Sequence, residues 1–329
     1  QLFKAGASQK LPWIGEFKAK KESVNALAEI KSVEVFLSEL DIAYAVKKSY
    51  FELYQQRAIA HILNENKQIL KTYEVMALAA LENNRATMSD VLRIQVQKNE
   101  LHRKIVKNRN NLEILKENFN RLLQRDKTIP LHIPDSLPLL DTLRVKLTVN
   151  QHPVLQKISK KERLYKAEKE LINGSKQPKI SLGLDYILVA KRSDASPIQN
   201  GKDILMPRFS LSIPLFNKKK YQSKLNQVQI KENMLKDEFK AQQIQLEIAI
   251  AQAKLDIDNA LVTVLTAQEN KTMIQRAIDV DLKAFETGIL DYDKILQLQL
   301  QKIRFQLMEV EAIKKVYIAK AKVSYLSDS

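Results

Sequence analysis

The chain has 329 residues, and its 54 lysines and arginines outnumber its 38 aspartates and glutamates to give a formal net charge of +16. Cysteine is absent, which excludes disulfide bonds, thiolate metal sites and cysteine nucleophiles. Only 6 glycines and 9 prolines occur. Because a compact fold needs many turns, this scarcity predicts few and long secondary-structure elements. No run of about 18 apolar residues is present, so no transmembrane helix is predicted.

The positive charge does not by itself predict a nucleic-acid partner. The lysines are scattered along the predicted helices and alternate with acidic residues, as between Lys18 and Glu22. No stripe of aromatic and basic residues and no recognised binding motif accompanies them. Nucleic acid is therefore not a predicted partner.

Long helical arms are predicted on both sides of position 84. Residues 1–13 are typical of the end of a β-barrel strand, and residues 14–83 predict one helix without a proline. This helix and the next carry apolar seams with alternating spacings of three and four residues, as in coiled coils. The first seam contains Ile62, Asn66, Ile69, Tyr73, Met76 and Ala80, and the second contains Val91, Ile94, Lys98, Leu101, Ile105, Asn108, Leu112, Leu115, Phe119 and Leu122.

The second half of the chain repeats this plan. Residues 80–84 (ALENN) recur as 284–288 (AFETG), 204 positions later, and residues 91–97 (VLRIQVQ) recur as 295–301 (ILQLQLQ). The flanking seams contain Ile244, Ile248, Ala251, Leu255, Asp258, Val262 and Leu265, then Leu296, Leu300, Ile303, Leu307, Val310, Lys314, Tyr317 and Ala321. The internal duplication predicts two helical hairpins. They are residues 14–126 with a tip near 84–90, and residues 217–329 with a tip near 288–294.

Between the hairpins, residues 127–178 predict a proline-rich connector and a short helix from about residue 153 to 172. Residues 179–216 predict a β-hairpin of barrel strands, in which apolar side chains alternate with small or polar ones. The apolar members are Ile180, Leu182, Leu184 and Tyr186, then Phe209, Leu211 and Ile213.

Neither the strands nor the helices predict a self-sufficient monomer. Two or three strands cannot bury an apolar face or protect their edges, and helices of about 100 Å cannot form a compact monomer. Several protomers that close the strands into a barrel and the helices into a tube would satisfy both elements. Strands with one apolar and one polar face suit a lipid-facing barrel with a wet lumen. The alternative is a soluble sheet packed on helices.

Several segments of the chain resemble the TolC family of outer-membrane efflux proteins. They are residues 8–15 (SQKLPWIG), 150–155 (NQHPVL), 177–186 (QPKISLGLDY) and 209–217 (FSLSIPLFN), together with the two tips at 80–92 and 285–296. The resemblance extends over nearly all 329 residues. It also implies that a helical part and a first strand of the family pattern are missing before residue 1.

The resemblance implies a mainly α fold with a small β part. In it, two long antiparallel α-helical hairpins accompany β-strands that join a trimeric 12-stranded outer-membrane β-barrel, which an α-helical periplasmic tunnel continues. The implied location is the cell outer membrane, with a large periplasmic portion. The implied partners are a homotrimer of this chain, a periplasmic adaptor (membrane fusion) protein, an inner-membrane pump and outer-membrane lipid.

The hairpin tips are the predicted functional sites. By resemblance, six residues would ring the periplasmic opening, where the adaptor docks and the channel gates: Asn84, Arg85, Asp90, Gly288, Asp291 and Asp293. Asn84 stands where the family usually has glycine, but asparagine tolerates the left-handed conformation of a turn. Lys294 is equivalent to Asp90, so an acidic ring is not carried over. The alternative is that Asn84 and Gly288 only form turns.

No group of residues predicts catalysis, a cofactor or a metal site. The four histidines are dispersed at His61, His102, His132 and His152. Only His61 has an acidic residue, Glu65, at helical spacing, and one such pair falls short of the three or four ligands that a metal needs. Asp291 and Asp293 could bind a cation, but beside a turn they more often cap a helix. An enzyme is therefore not predicted.

The predicted function is a passive outer-membrane channel, the exit duct of a tripartite efflux or type I secretion system. It would export small molecules, metal ions or drugs, with energy supplied by the inner-membrane pump. The alternative is a periplasm-spanning coiled-coil structural or adaptor protein without a pore.

Overall fold

The computed structural model describes residues 3–138, 151–190, 201–286 and 292–327. The elements in chain order are β1 (Phe3–Leu11), α1 (Ile14–Glu82), α2 (Met88–Leu122), α3 (Pro153–Gly174), β2 (Lys179–Leu188), β3 (Ile204–Ser212), α4 (Lys218–Glu286) and α5 (Tyr292–Ser327). The predicted mainly helical fold with a small β part is confirmed. In the described part of the chain, no helix has a stretch long and apolar enough to cross a membrane.

The internal duplication is visible in the helix bounds. Helices α1 and α4 both have 69 residues. They begin at residues 14 and 218 and end at residues 82 and 286, while α2 and α5 begin at residues 88 and 292. Each pair of positions is separated by the same 204 residues as the repeated sequence segments.

The chain divides into two compact units. The first contains Gln1–Leu37 and Pro153–Ile244, and the second contains Ser38–His152 and Gln245–Ser329. Helices α1 and α4 contribute residues to both units.

The sheet belongs to the first unit. Its strand order is β1-β2-β3 and both pairings are antiparallel, with Gly6 opposite Asp185 and Gly183 opposite Arg208. Since successive side chains of a strand point to opposite faces, this register separates two kinds of residue. One face is apolar apart from Gln9 and consists of Phe3, Ala5, Ala7, Gln9, Leu11, Ile180, Leu182, Leu184, Tyr186, Leu188, Leu205, Pro207, Phe209 and Leu211. The opposite face, which we call the polar face, consists of Lys4, Gly6, Ser8, Lys10, Lys179, Ser181, Gly183, Asp185, Ile187, Ile204, Met206, Arg208, Ser210 and Ser212.

Helix α3 of the first unit is held by ion pairs to both long helices. Lys160 lies 2.7 Å from Glu29 of α1, and Lys161 lies 3.2 Å from Glu238 of α4. Hydrogen bonds from Lys31 and Lys157 lower the pKa of the Glu34 carboxyl to about 2. The carboxylate therefore stays ionised at neutral pH.

The second unit has its apolar core on the predicted seams of α1, α2 and α5. One cluster contains the predicted seam residues Tyr73 of α1, Ile94 of α2 and Leu296 of α5. Leu63 and Leu70 of α1, which the predicted seam did not include, are buried in the same cluster. Of the 24 predicted members of these three seams, 13 are buried and ten are partly buried, so only Leu122 is exposed.

The predicted seam of α4 is different, because its residues are exposed within the chain. Val262 is 63% exposed, and Ile248 and Leu255 are similarly exposed. The side of α4 that is buried carries Ala253 and Ile257, which pack with Ala319 and Val323 of α5. Ala253 and Val262 are nine positions apart, or two and a half turns, so they lie on opposite sides of the helix. The exposed apolar stripe of α4 thus comprises Ile244, Ile248, Leu255, Val262, Leu265, Met273 and Val280.

A buried polar cluster connects α1 to α5 in the second unit. Asn66, which has no exposed surface, donates to the Ile62 carbonyl at 2.7 Å and to Gln306 Oε1 at 3.0 Å. The buried Gln299 donates through Nε2 to Asn66 Oδ1 at 2.6 Å. Each buried amide of this pair therefore has a partner, as burial requires.

Replacing Asn66 by leucine is expected to lower the free energy of unfolding by about 1–3 kcal/mol, because Gln299 loses the acceptor of its buried amide. Thermal or denaturant unfolding of the detergent-solubilised protein would measure this. The double variant Asn66→Leu/Gln299→Leu is expected to recover most of the loss, since both polar partners are then removed. Asn64→Leu, at an exposed position of α1, is the matched control. An equal loss for Asn64→Leu and Asn66→Leu would contradict the prediction.

His152 is a buried titratable group of the second unit. It is only 2% exposed, and its ring lies edge-on to Tyr325 at a centroid distance of 6.2 Å. Burial lowers the pKa of His152, while a hydrogen bond with the backbone of Tyr325 acts in the opposite direction. Burial and Asp41, which accepts from the Tyr325 hydroxyl at 2.8 Å, raise the pKa of Tyr325 to about 12.

The lowered pKa of His152 predicts a loss of stability in weak acid. The unfolded chain protonates this histidine near its ordinary pKa of 6.5, whereas the folded chain does so only at lower pH. The contribution of neutral His152 to the free energy of unfolding is therefore complete above about pH 6.5. It is lost as the pH falls toward the pKa of His152 in the folded state. His152→Gln is expected to make the melting temperature less dependent on pH between about pH 7 and 5. His61→Gln, at an exposed position of α1, is the control and should keep the pH dependence of the wild type. The same slope in both variants would disprove the assignment.

Candidate functional site

The first hairpin tip is a helix end closed by a left-handed residue. Asn84 has a φ of 56°. Its amide donates to the Leu81 carbonyl at 3.0 Å, and the Arg85 amide donates to the Ala80 carbonyl at 2.8 Å. These two bonds form a Schellman motif, which needs glycine or asparagine at the left-handed position. The predicted tolerance of asparagine at this turn is therefore confirmed.

Asp90 lies three residues after the N-cap of α2 and completes a capping box with it. Its carboxylate accepts from the Thr87 amide at 2.8 Å, and the Thr87 hydroxyl accepts from the Asp90 amide at 3.3 Å. The carboxylate and the Thr87 hydroxyl therefore each satisfy one backbone donor at the start of α2. The equivalent Lys294 cannot accept such bonds, so the two hairpin tips are chemically different.

Asp293 of α5 is bound to α2, which the sequence did not predict. Its Oδ1 lies 2.8 Å from Nη1 of Arg93, and its Oδ2 accepts from Gln297 Nε2 at 2.7 Å. Arg93 thus joins the start of the second hairpin's descending helix to the first hairpin. In the sequence, only the position of Arg93 one turn after Asp90 could have indicated that Arg93 belongs to the tip. A single arginine on a long helix is not a distinctive signal.

Of the other three predicted tip residues, the structure describes only Arg85. Arg85 lies in the exposed turn after Asn84, while Gly288 and Asp291 lie outside the described residues. The structure therefore brings Asp293 to Arg93 and places Asn84, Arg85 and Asp90 together at the first tip.

Exposed apolar side chains accompany the first tip. Val75 and Leu78 precede it on α1, and Met88, Leu92 and Val96 follow it on α2. Leu92 and Val96 are four positions apart and so lie on the same side of α2. Exposed apolar groups on both helices next to a turn are typical of a surface that receives another helix.

Among the described residues, no group of three or more His, Asp or Glu side chains could hold a metal ion. The carboxylate of Asp293, which the sequence offered as a cation ligand, forms an ion pair with Arg93 and a hydrogen bond with Gln297 in this structure.

Solved structures of outer-membrane channels share the fold of this chain. OprN, an outer-membrane channel, is 14% identical with a TM-score of 0.82 over 98% of this chain and 73% of its own. VceC, an outer membrane protein from Vibrio cholerae, is 13% identical with a TM-score of 0.79 over 99% of this chain and 86% of its own. The open-state outer membrane channel MtrE from Neisseria gonorrhoeae is 12% identical with a TM-score of 0.81 over 98% of this chain and 79% of its own. No protein-family model matches the sequence, and no curated protein matches it.

These likenesses define the fold as that of an outer-membrane channel subunit. More particularly, it is the TolC fold, as the sequence predicted. The structural neighbours are channel proteins and not enzymes.

Proposed function

We propose that this chain is a subunit of a passive exit duct in the outer membrane, acting with a periplasmic adaptor and an inner-membrane pump. The observation that carries the proposal is the three-stranded sheet, which combines an exposed apolar face with a polar one on the fold of outer-membrane channels. In this proposal residues 179–216 supply barrel strands, and residues 14–126 and 217–329 supply the helical tunnel.

The apolar face of the sheet supports contact with outer-membrane lipid. Phe3, Leu182, Leu205 and Phe209 are all at least half exposed on it. A soluble sheet would bury such a face against helices, whereas a membrane barrel turns it toward lipid. Phe216, which is 96% exposed just after β3, fits the aromatic girdle that flanks the apolar band of such barrels.

The exposed apolar stripe of α4 supports the assembly of several copies of this chain, as the proposed homotrimer requires. A soluble monomer rarely exposes a continuous apolar stripe, and such a surface marks an interface. Neighbouring copies that pack along α4 would bury it, just as α5 buries the opposite side. The water-filled lumen of the proposed channel would leave these apolar side chains exposed. The stripe therefore favours lateral contact between protomers.

Val262→Glu is expected to abolish the trimer while leaving the secondary structure intact, because a carboxylate placed in a protomer interface is not solvated. Size-exclusion chromatography with light scattering and circular dichroism would measure both properties. Gln252→Glu, at an exposed position on the flank of α4, is the matched control and should remain trimeric. A trimeric Val262→Glu protein would contradict the assignment of this stripe.

Expression of the protein with an export signal tests the proposed function directly. The protein should then fractionate with the outer membrane and produce channels in planar lipid bilayers. A soluble protein without conductance would overturn the proposal. It would favour the second candidate, a periplasm-spanning structural or adaptor protein, although the exposed apolar face of the sheet speaks against that candidate.

The tips are the proposed periplasmic opening and adaptor site. Asn84, Arg85, Asp90 and Asp293 would lie there, with Gly288 and Asp291 assigned from the sequence alone. The exposed Leu92 and Val96 beside the first tip supply apolar surface for a helical hairpin of the adaptor.

A further inference from the structure

We propose that the polar face of the sheet makes this channel prefer anions to cations, and anionic solutes are therefore its favoured cargo. The inference rests on the proposed function, since it assigns the polar face to the lumen of a barrel. It follows from the placement of charge on the three strands.

All five charged side chains of the described strands lie on the polar face. Four are cationic, Lys4, Lys10, Lys179 and Arg208, and one is anionic, Asp185. The apolar face carries no charged residue in the same strands. The polar face thus has three positive charges in excess for each protomer, and closed symmetry would repeat them around the lumen.

The one acidic group of this face is covered by its cationic partners. The Asp185 side chain is 4% exposed, and it lies 3.3 Å from Lys4 Nζ and 2.5 Å from Arg208 Nη2. The side chains of Lys4 and Arg208 are 48% and 53% exposed. A passing solute therefore meets ammonium and guanidinium groups, while the carboxylate lies beneath them.

A second acidic group, at the end of the face next to α1, reduces the excess from three positive charges to two for each protomer. Glu16, in the first turn of α1, is 3.3 Å from Lys179 and neutralises it. Lys10 and one of the two cations around Asp185 then remain uncompensated. Rings of basic side chains in a narrow pore raise the local concentration of anions and exclude cations.

The reversal potential in a potassium chloride gradient tests this inference. The wild-type channel is expected to reverse toward the chloride equilibrium potential. Lys10→Gln should reduce this shift by roughly half and Lys10→Glu should nearly abolish it, because Lys10 is one of the two charges of each protomer that remain uncompensated. Gln9→Glu is the matched control. It changes the net charge by the same amount as Lys10→Gln, but on the opposite face of the sheet, and should leave the reversal potential unchanged.

The outcomes separate this inference from the proposed function. Absence of any conductance would overturn the proposed function itself. A conducting wild-type channel that prefers potassium would overturn the anion preference alone. Equal shifts for Lys10→Gln and Gln9→Glu would also overturn it, because the face of the sheet would then not decide the selectivity.

Discussion

Reversing the charge of Asp293 is expected to raise the conductance of the channel. In the structure this carboxylate holds Arg93 at 2.8 Å and links α5 to α2 at the hairpin tips. In Asp293→Arg, two guanidinium groups would face each other and drive the two helices apart. If the tips form the periplasmic opening, their separation widens it.

The size of this effect depends on the number of copies. An exposed ion pair contributes about 0.2–1 kcal/mol, and its replacement by like charges adds repulsion of similar size. Three protomers that open together would add their contributions, so we expect the open fraction to rise roughly tenfold or more. The exchange Arg93→Asp/Asp293→Arg restores opposite charges and should return the conductance toward the wild-type level. Single-channel recording would measure all three proteins.

Asp90 provides the control for this prediction. Its carboxylate caps the first turn of α2 through Thr87. Asp90→Arg should therefore cost about 1 kcal/mol of helix stability with little change in conductance. Identical effects of Asp90→Arg and Asp293→Arg would show that the ion pair is not what restrains the opening.

Gly6→Ala is expected to prevent formation of a stable barrel. An added Cβ would lie 2.1 Å from Asp185 Oδ1, and Asp185 cannot move aside without leaving Lys4 and Arg208. Breaking a fully buried ion pair costs about 3–5 kcal/mol. Because the cations here are half exposed, we expect a loss of about 2–3 kcal/mol for each protomer. The amount of heat-resistant trimer in the outer membrane is the measurement.

Gly15→Ala is the matched control, because a Cβ at Gly15 meets no atom within 4 Å and alanine favours a helix. It should assemble as well as the wild type. In Gly6→Ala/Asp185→Ala the clash is gone, so the double variant should assemble no worse than Asp185→Ala alone. Additive losses in the double variant would show that the contact between Gly6 and Asp185 is not the cause.

The periodicity of the sequence was sufficient to predict the helices and most of their packing. Alternating spacings of three and four located the buried sides of α1, α2 and α5, because those sides pack within one chain. On α4 the same signal identified the exposed side, since apolar residues occur on two opposite sides of this helix. A pattern of apolar residues therefore locates an apolar surface, but it does not say whether the same chain covers it.

The polar contacts of the candidate site could be predicted only in part. The left-handed turn at Asn84 followed from local chemistry, because its bonds join residues a few positions apart. The pairing of Arg93 with Asp293 joins residues 200 positions apart, and the position of Asp185 over Gly6 depends on strand register. Such contacts need the tertiary structure, since no local spacing encodes them.

The equal lengths of α1 and α4 limit how the length of either helix can change. Removing seven residues from α1 alone would shorten that arm by about 10 Å, while α4 would keep its 69 residues. The start of α2 would then shift along α5, and Arg93 would no longer lie beside Asp293. A longer or shorter version of this protein therefore requires the same insertion or deletion in both halves of the gene.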